Sequence, residues 1–244
     1  MPLAADMSHW SGPLTDDEAR CLRDRGYALV IANTHGPHTL QQLDAARRHG
    51  MRAHAYVYLY WRGNVADQVA FAVAKARDVA EMLWLDCEDD PAGLSPAVIR
   101  HAIDRAVAAC AGMRCGIYTR RSWWRACTSD SDAWRHLPLW DADYDGQASF
   151  EGFAPYGGWA RPWMKQFGGT QEVCGQSIDP NYYEEGRMYT DAEIDAKIGE
   201  LIKALAAYTA RSEQRDTELL GALIDHNKRL LRLERAPTPE KRDA

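Results

Sequence analysis

No C-x-x-C pair and no His/Cys cluster occurs in this sequence, so a structural zinc site is not expected. The six cysteines, Cys21, Cys87, Cys110, Cys115, Cys127 and Cys174, are scattered. They read as reduced, mostly buried thiols of a protein made in a cytosol. No basic segment with an apolar core opens the chain, and no apolar run is long enough to span a bilayer. Neither a signal peptide nor membrane insertion is therefore expected. Positive charge is in deficit, with 29 Lys+Arg against 35 Asp+Glu and a net charge of −6. That balance argues against nonspecific nucleic-acid binding and offers no large basic face to an anionic membrane. No strand runs into a Gly-rich dinucleotide or phosphate loop, and there is no G-x-S-x-G elbow for a serine hydrolase. No cofactor is implied.

What remains is an ordinary globular composition, 46% hydrophobic and 26% charged over 244 residues. That length suits one large α/β domain, or a domain with an appendage. Nine tryptophans and eleven tyrosines exceed common usage; aromatics serve equally as core and as sugar platforms.

The most informative stretch is Met82-Leu83-Trp84-Leu85-Asp86-Cys87-Glu88-Asp89-Asp90-Pro91. An apolar run of strand formers ends in four carboxylates and a proline, the pattern of a buried strand in a parallel sheet. Side chains alternate along a strand, so Asp86 and Glu88 share one side and Leu85 and Cys87 the other. Two carboxylates then lie side by side at a strand C-terminus, where barrels and open α/β sheets place their chemistry. Burial and mutual repulsion keep one of such a pair protonated near neutrality, and glycoside hydrolysis needs an acid beside an ionised partner. A solvated acidic loop is the competing reading and the preferred one for Asp89 and Asp90.

Further apolar runs predict strands at Leu3–Ser8, Tyr27–Ala32, Arg52–Tyr60, Arg114–Thr119, Leu137–Ala142 and Trp163–Phe167, with a short eighth at Gln176–Asp179. Helical patterns fall between the first five, the first opened by the acidic cap Thr15-Asp16-Asp17-Glu18. Eight strands in under 190 residues predict an irregular (β/α) TIM-like barrel over residues 1–189; a doubly wound open sheet is the alternative. From the capping box Thr190-Asp191-Ala192-Glu193 to about Arg235 the residues are strong helix formers. Ile198, Ile202, Leu205, Leu219, Leu223, Leu230 and Leu233 keep one heptad frame, interrupted by polar residues. A long coiled-coil-like helix over 190–235 is expected, pairing with a copy of itself or docking on a partner. Residues 236–244 are expected to be disordered.

Acidic residues end several strands: Asp6, Asp86, Glu88, Asp141, Asp143 and Asp179. In a parallel barrel these ends share one mouth. Trp10, Tyr56, Tyr58, Tyr118 and Trp140 end or line the same strands and could stack on sugars. Each carboxylate could instead cap a turn, and the set could hold magnesium or calcium.

The order of these segments resembles the glycoside hydrolase family 25 lysozymes, the Chalaropsis-type muramidases. The resemblance rests on Asp6-Met7-Ser8-His9-Trp10, Ala55-Tyr56-Val57-Tyr58, Leu83-Trp84-Leu85-Asp86-Cys87-Glu88, Gly116-Ile117-Tyr118-Thr119, Leu139-Trp140-Asp141-Ala142-Asp143-Tyr144, Gln166-Phe167 and Ile178-Asp179-Pro180-Asn181, spanning about residues 3 to 183. It implies a barrel that cleaves the β-1,4 bond between N-acetylmuramic acid and N-acetylglucosamine in bacterial peptidoglycan, without a metal. It makes Glu88 the general acid and Asp86, Asp6 and Asp179 the accompanying carboxylates. Tyr56, Tyr58, Tyr118, Trp140, Asp141, Trp10 and Asn181 become the expected substrate-binding set.

Three departures from the family pattern are expected to border the pocket and alter substrate preference or weaken catalysis. His35 stands where the family has Glu, Val57 where it often has His, and the usual Gly before Asp6 is missing. The C-terminal helix and the lack of a signal peptide point to a phage or prophage product. It would act on the cell wall after release or as part of a virion. The alternative is a weakly active or inactive glycan-binding module of a phage particle.

Overall fold

A computed structural model describes residues 2–184 of the chain. The expected helix over 190–235, the boundary at 189 and the tail lie outside the described residues. The elements run β1 (Leu3–Met7), α1 (Asp16–Asp24), β2 (Tyr27–Asn33), α2 (Thr39–Arg48), β3 (Arg52–Tyr58), α3 (Val65–Ala76), β4 (Leu83–Asp86), α4 (Pro96–Ala109), β5 (Cys115–Thr119), α5 (Arg121–Thr128), β6 (Leu139–Ala142), β7 (Met164–Gln166), β8 (Gln171–Val173) and β9 (Gln176–Tyr183).

Strands β1 to β7 pair in parallel and in chain order, and β9 pairs antiparallel with both β7 and β1. The sheet is thus a closed eight-strand barrel, which excludes the open doubly wound alternative. Strand β8 stands outside the ring as a hairpin partner of β9. The last strand is longer than its sequence pattern predicts and runs the other way. Pro180 reads as a terminator, yet it lies inside β9 and its carbonyl accepts from the Phe167 amide at 3.3 Å.

Local chemistry accounts for the turns between elements. Thr15 and Glu18 form a reciprocal capping box at the start of α1, whose first turn carries Asp16, Asp17 and Glu18 against the helix dipole. Gly26 and Gly50 take φ of 91° and 75° where the chain leaves α1 and α2, a conformation other residues adopt only with strain.

Period-two alternation builds the layers. Ala4, Leu29, Ile31, Tyr56, Trp84, Tyr118, Trp140, Met164 and Tyr183 fill the barrel interior. Val30, Ala55, Val57, Leu83, Leu85, Ile117 and Leu139 face outward against the helices. The interior is aromatic and tightly filled: the Trp84 and Trp140 ring centroids lie 5.6 Å apart. Gly116 leaves room for this stack, since a Cβ there would strike Trp84. Truncating Trp84 to Ala should cost about 3–5 kcal/mol. This packed floor carries the polar mouth above it.

The expected state of two cysteines is overturned. Cys21 and Cys174 are joined as a disulfide, 153 residues apart in sequence, rather than reduced. It ties α1 to the β8–β9 hairpin. Cys87, Cys110, Cys115 and Cys127 are free thiols, as the sequence suggested.

Candidate active site

Asp6, the fourth residue of β1, points into the barrel and is paired in register with Asp179 of β9. Because β9 is antiparallel, Asp179 reaches the mouth from near the start of its strand, while Asp6 reaches it from near the end of its own. Asp86 closes β4, and Glu88 stands two residues beyond it, off the regular strand. That extension is held from both sides. The Cys87 amide donates to the Tyr118 carbonyl at 2.8 Å, and the Leu59 amide to the Asp86 carbonyl at 3.1 Å. The Thr119 hydroxyl donates to the Cys87 carbonyl at 2.8 Å.

Gln166 on β7 locks the carboxylates together. Its Nε2 donates to Asp179 at 3.0 Å and to Asp6 at 3.3 Å. Its Oε1 accepts from the hydroxyls of Tyr118 at 2.6 Å and Tyr144 at 2.9 Å. Fully buried and with all four bonds made, this amide fixes which way the two aspartates face.

Burial raises every carboxyl of the group. Burial first, then the charges of Asp179 and Glu88, hold Asp6 well above its ordinary range. Burial, followed by Glu88, Asp6 and Asp89, does the same to Asp86. Glu88 is raised by burial, with Arg120 opposing and Asp179 and Asp89 adding. Asp179 is raised by burial, against a lowering hydrogen bond from Thr170. Asp6 Oδ1 and Asp86 Oδ1 are buried and make no hydrogen bond within the described residues. A cluster that resists full ionisation can keep an acid protonated near neutrality beside charged partners.

The other expected site residues divide by depth. Tyr56 and Tyr118 are buried just under the carboxylates. Tyr58 is partly exposed and donates from its hydroxyl to Asp89 at 3.1 Å. Trp140 is 1% exposed and donates to Asn181, itself 0% exposed, at 2.7 Å. Neither offers a face to a sugar, so the expected stacking on Trp140 is not available. Asp141 faces outward, opposite to Trp140, and accepts from the Tyr156 hydroxyl at 2.7 Å. It nonetheless borders a cavity of about 330 Å³ that Glu88 also lines. Burial lifts its pKa to about 6. Trp10 is 89% exposed on the loop after β1, edge-on to His9. Asp89 and Asp90 serve the loop: the Asp89 carbonyl accepts from the indoles of Trp61 and Trp123, and the Asp90 side chain from the Ala92 amide.

Of the departures from the family pattern, two lie away from the carboxylates. The His35 ring stacks on Phe71 at 5.7 Å. Val57 points into the barrel–helix layer. Gln166 and Tyr144, present in the family-like segments but given no site role from sequence, join the site, as does Arg120, which was not singled out. The one signal available was strand parity, which puts Gln166 on the same face as Met164.

With this geometry in place, the known relatives can be set beside it. A family model described as lysozyme-like protein 1 matches residues 3–167. The Dictyostelium discoideum protein named probable GH family 25 lysozyme 2 is 30% identical over 190 residues, covering 71% of this chain and 88% of that protein. The chain belongs to the family 25 lysozymes. Another relative from the same organism, probable GH family 25 lysozyme 5, is 36% identical over 141 residues, covering 52% of this chain and 64% of its own length. A bacterial lysozyme from Streptomyces coelicolor shares the fold with a TM-score of 0.65 at 19% identity, over 76% of this chain and 93% of that one. Family 25 membership makes the chain a glycoside hydrolase.

Proposed function

We propose that this family 25 lysozyme is a peptidoglycan muramidase that cleaves the β-1,4 bond between N-acetylmuramic acid and N-acetylglucosamine. One observation carries the reading: the Gln166 amide turns Asp6 and Asp179 toward each other on the rim that holds Asp86 and Glu88. Glu88 and Asp179 are the half-buried members of the four, and of the four Glu88 alone lines the cavity. It donates its proton to the departing glycosidic oxygen. Asp86, Asp6 and Asp179 supply the negative field that stabilises the oxocarbenium-like charge left on the sugar. Tyr56, Tyr58 and Tyr118 shape the floor and wall beside them, and Trp10 supplies an exposed aromatic face at the rim.

The chain acts on the wall after phage or prophage release, or as part of a virion. The Cys21–Cys174 disulfide supports a working place outside a reducing cytosol. Residues 190–235 join a second copy or dock on an assembly, as their heptad pattern supports. Light scattering with and without residues 191–244 tests that part, and a monomer in both cases would count against it.

The activity is tested by clearing of a cell-wall suspension with the wild type and with Glu88→Gln. Clearing should vanish in the variant while its circular dichroism is unchanged. Glycan binding with no clearing by the wild type would favour a non-catalytic wall-binding module.

A further inference from the structure

The four rim carboxylates leave an unanswered electrostatic question. Peptidoglycan carries carboxylates of its own, and an acidic rim repels them. Among the described residues that line the cavity, positive charge is supplied at one place, on the side of Glu88. There Arg120 and Arg121 follow directly on β5 and line the cavity with Ser122. Both are exposed, and neither makes an ion pair or a side-chain hydrogen bond within the described residues. Other exposed or half-buried arginines among the described residues do have partners: Arg48 with Asp16, Arg52 with Glu81, Arg135 with Asp132.

Of the cavity's carboxylates, Glu88 feels the charge of Arg120 and Asp141 that of Arg121, but neither forms an ion pair with it. Asp141 accepts from Tyr156, and Asp143 lies 4.0 Å from Lys165. The α5 start adds to the same field, because Arg120 provides no side-chain cap there. Two free planar forks beside the acid are suited to bind a carboxylate through paired N–H donors.

We propose that Arg120 and Arg121 form a carboxylate-binding subsite beside Glu88 that takes an anionic group of the muramyl residue. The inference rests on the muramidase reading and adds what the enzyme reads on its substrate. That carboxylate has two sources. It is the free lactyl group on glycan stripped of peptide, or a carboxylate of the peptide stem when the lactyl group is amide-linked.

The test compares wild type, Arg120→Gln/Arg121→Gln and Arg120→Lys/Arg121→Lys on four substrates: peptide-bearing glycan strands, strands stripped of peptide, and each of these with its carboxylates converted to neutral amides. The Gln pair should raise KM about tenfold on a carboxylate-bearing strand, the loss expected for one charge-assisted contact, with kcat little changed. The Lys pair should recover part of that loss. On the neutral substrates all three proteins should share one KM. A KM effect confined to peptide-bearing strands assigns the stem, and one confined to stripped strands assigns the lactyl group. Cleavage by the wild type that ignores both the arginines and the substrate charge overturns this proposal alone. So does a KM increase that persists undiminished on the neutral substrates, since that would place the arginines' influence elsewhere than on the substrate's charge. No cleavage of any glycan by the wild type overturns the muramidase reading and this proposal with it.

Discussion

Replacing Gln166 by Leu keeps side-chain volume close to native and removes the amide that joins four groups. Two of its hydrogen bonds go to carboxylates and two come from tyrosine hydroxyls. Bonds to charged groups contribute about 1.5–3 kcal/mol each and neutral ones about 1 kcal/mol. Tyr144 is 59% exposed and can turn to water, and the losses within one network do not add. The expected cost is therefore about 3 kcal/mol of unfolding free energy, well below the simple total. The catalytic cost is larger in proportion. With no donor between them, Asp6 and Asp179 repel each other and rotate, and displacements of an ångström in a reacting constellation cost on the order of 100-fold in rate. Urea denaturation followed by tryptophan fluorescence reads the first quantity, and kcat on purified glycan strands reads the second. Gln166→Glu is the companion variant, since it keeps the acceptor for both tyrosines and replaces the donor with a fifth carboxyl. It should lose kcat as Gln166→Leu does. A Leu variant within about 0.5 kcal/mol of wild-type stability and within about twofold of its kcat would refute the role given to this amide.

Three further outcomes follow from the same structure. Folded Asp141 keeps its proton up to about pH 6, whereas the unfolded carboxyl releases it near 3.8. The native state thus binds more protons between those values, and stability falls as pH rises through them, by on the order of 3 kcal/mol at pH 7. Melting temperatures of Asp141→Asn should vary less between pH 4 and pH 7 than those of the wild type; parallel curves would sink the assignment. Removing the disulfide with Cys21→Ser/Cys174→Ser should cost about 2–4 kcal/mol, because it releases a loop closed over most of the barrel. The melting temperature of the wild type should then drop on adding reductant, and that of the double variant should not. Catalysis needs Glu88 protonated, and burial raises its pKa from 4.5. The alkaline limb of kcat should therefore lie above the ordinary glutamate range, and Arg120→Gln should move it higher still, since Arg120 favours the ionised form; a limb unmoved by that change would contradict the contact.

Much of the barrel was legible from alternation alone. The run Leu83-Trp84-Leu85-Asp86 announces a buried strand whose last residue is acidic, and the structure ends β4 at Asp86. Tyr27–Asn33 and Cys115–Thr119 follow the same logic. The direction of β9 was not legible. Strand polarity depends on the crossover before it, and the short hairpin from β8 reverses the chain where a helix would have kept it parallel. The Cys21–Cys174 pairing left no trace in sequence because spacing across 153 residues carries no geometric signal. Trp140 was expected to meet sugars because it lies near the end of its strand, but that placement could not tell depth along the barrel axis, and Trp140 is buried within the barrel. Gln166 stood in one of the family-like segments but received no role, because an isolated amide in a short strand does not announce its partners. Its importance comes only from the two aspartates and two tyrosines that closure brings to it.

The central claim is that Glu88 protonates a muramyl glycosidic oxygen. Mass spectrometry of borohydride-reduced digests of purified peptidoglycan tests it most directly. The wild type should generate fragments ending in reduced muramic acid, and Glu88→Gln, folded as the wild type is, should generate none. Fragments ending in reduced glucosamine, or muramic ends formed equally by Glu88→Gln, would contradict the account.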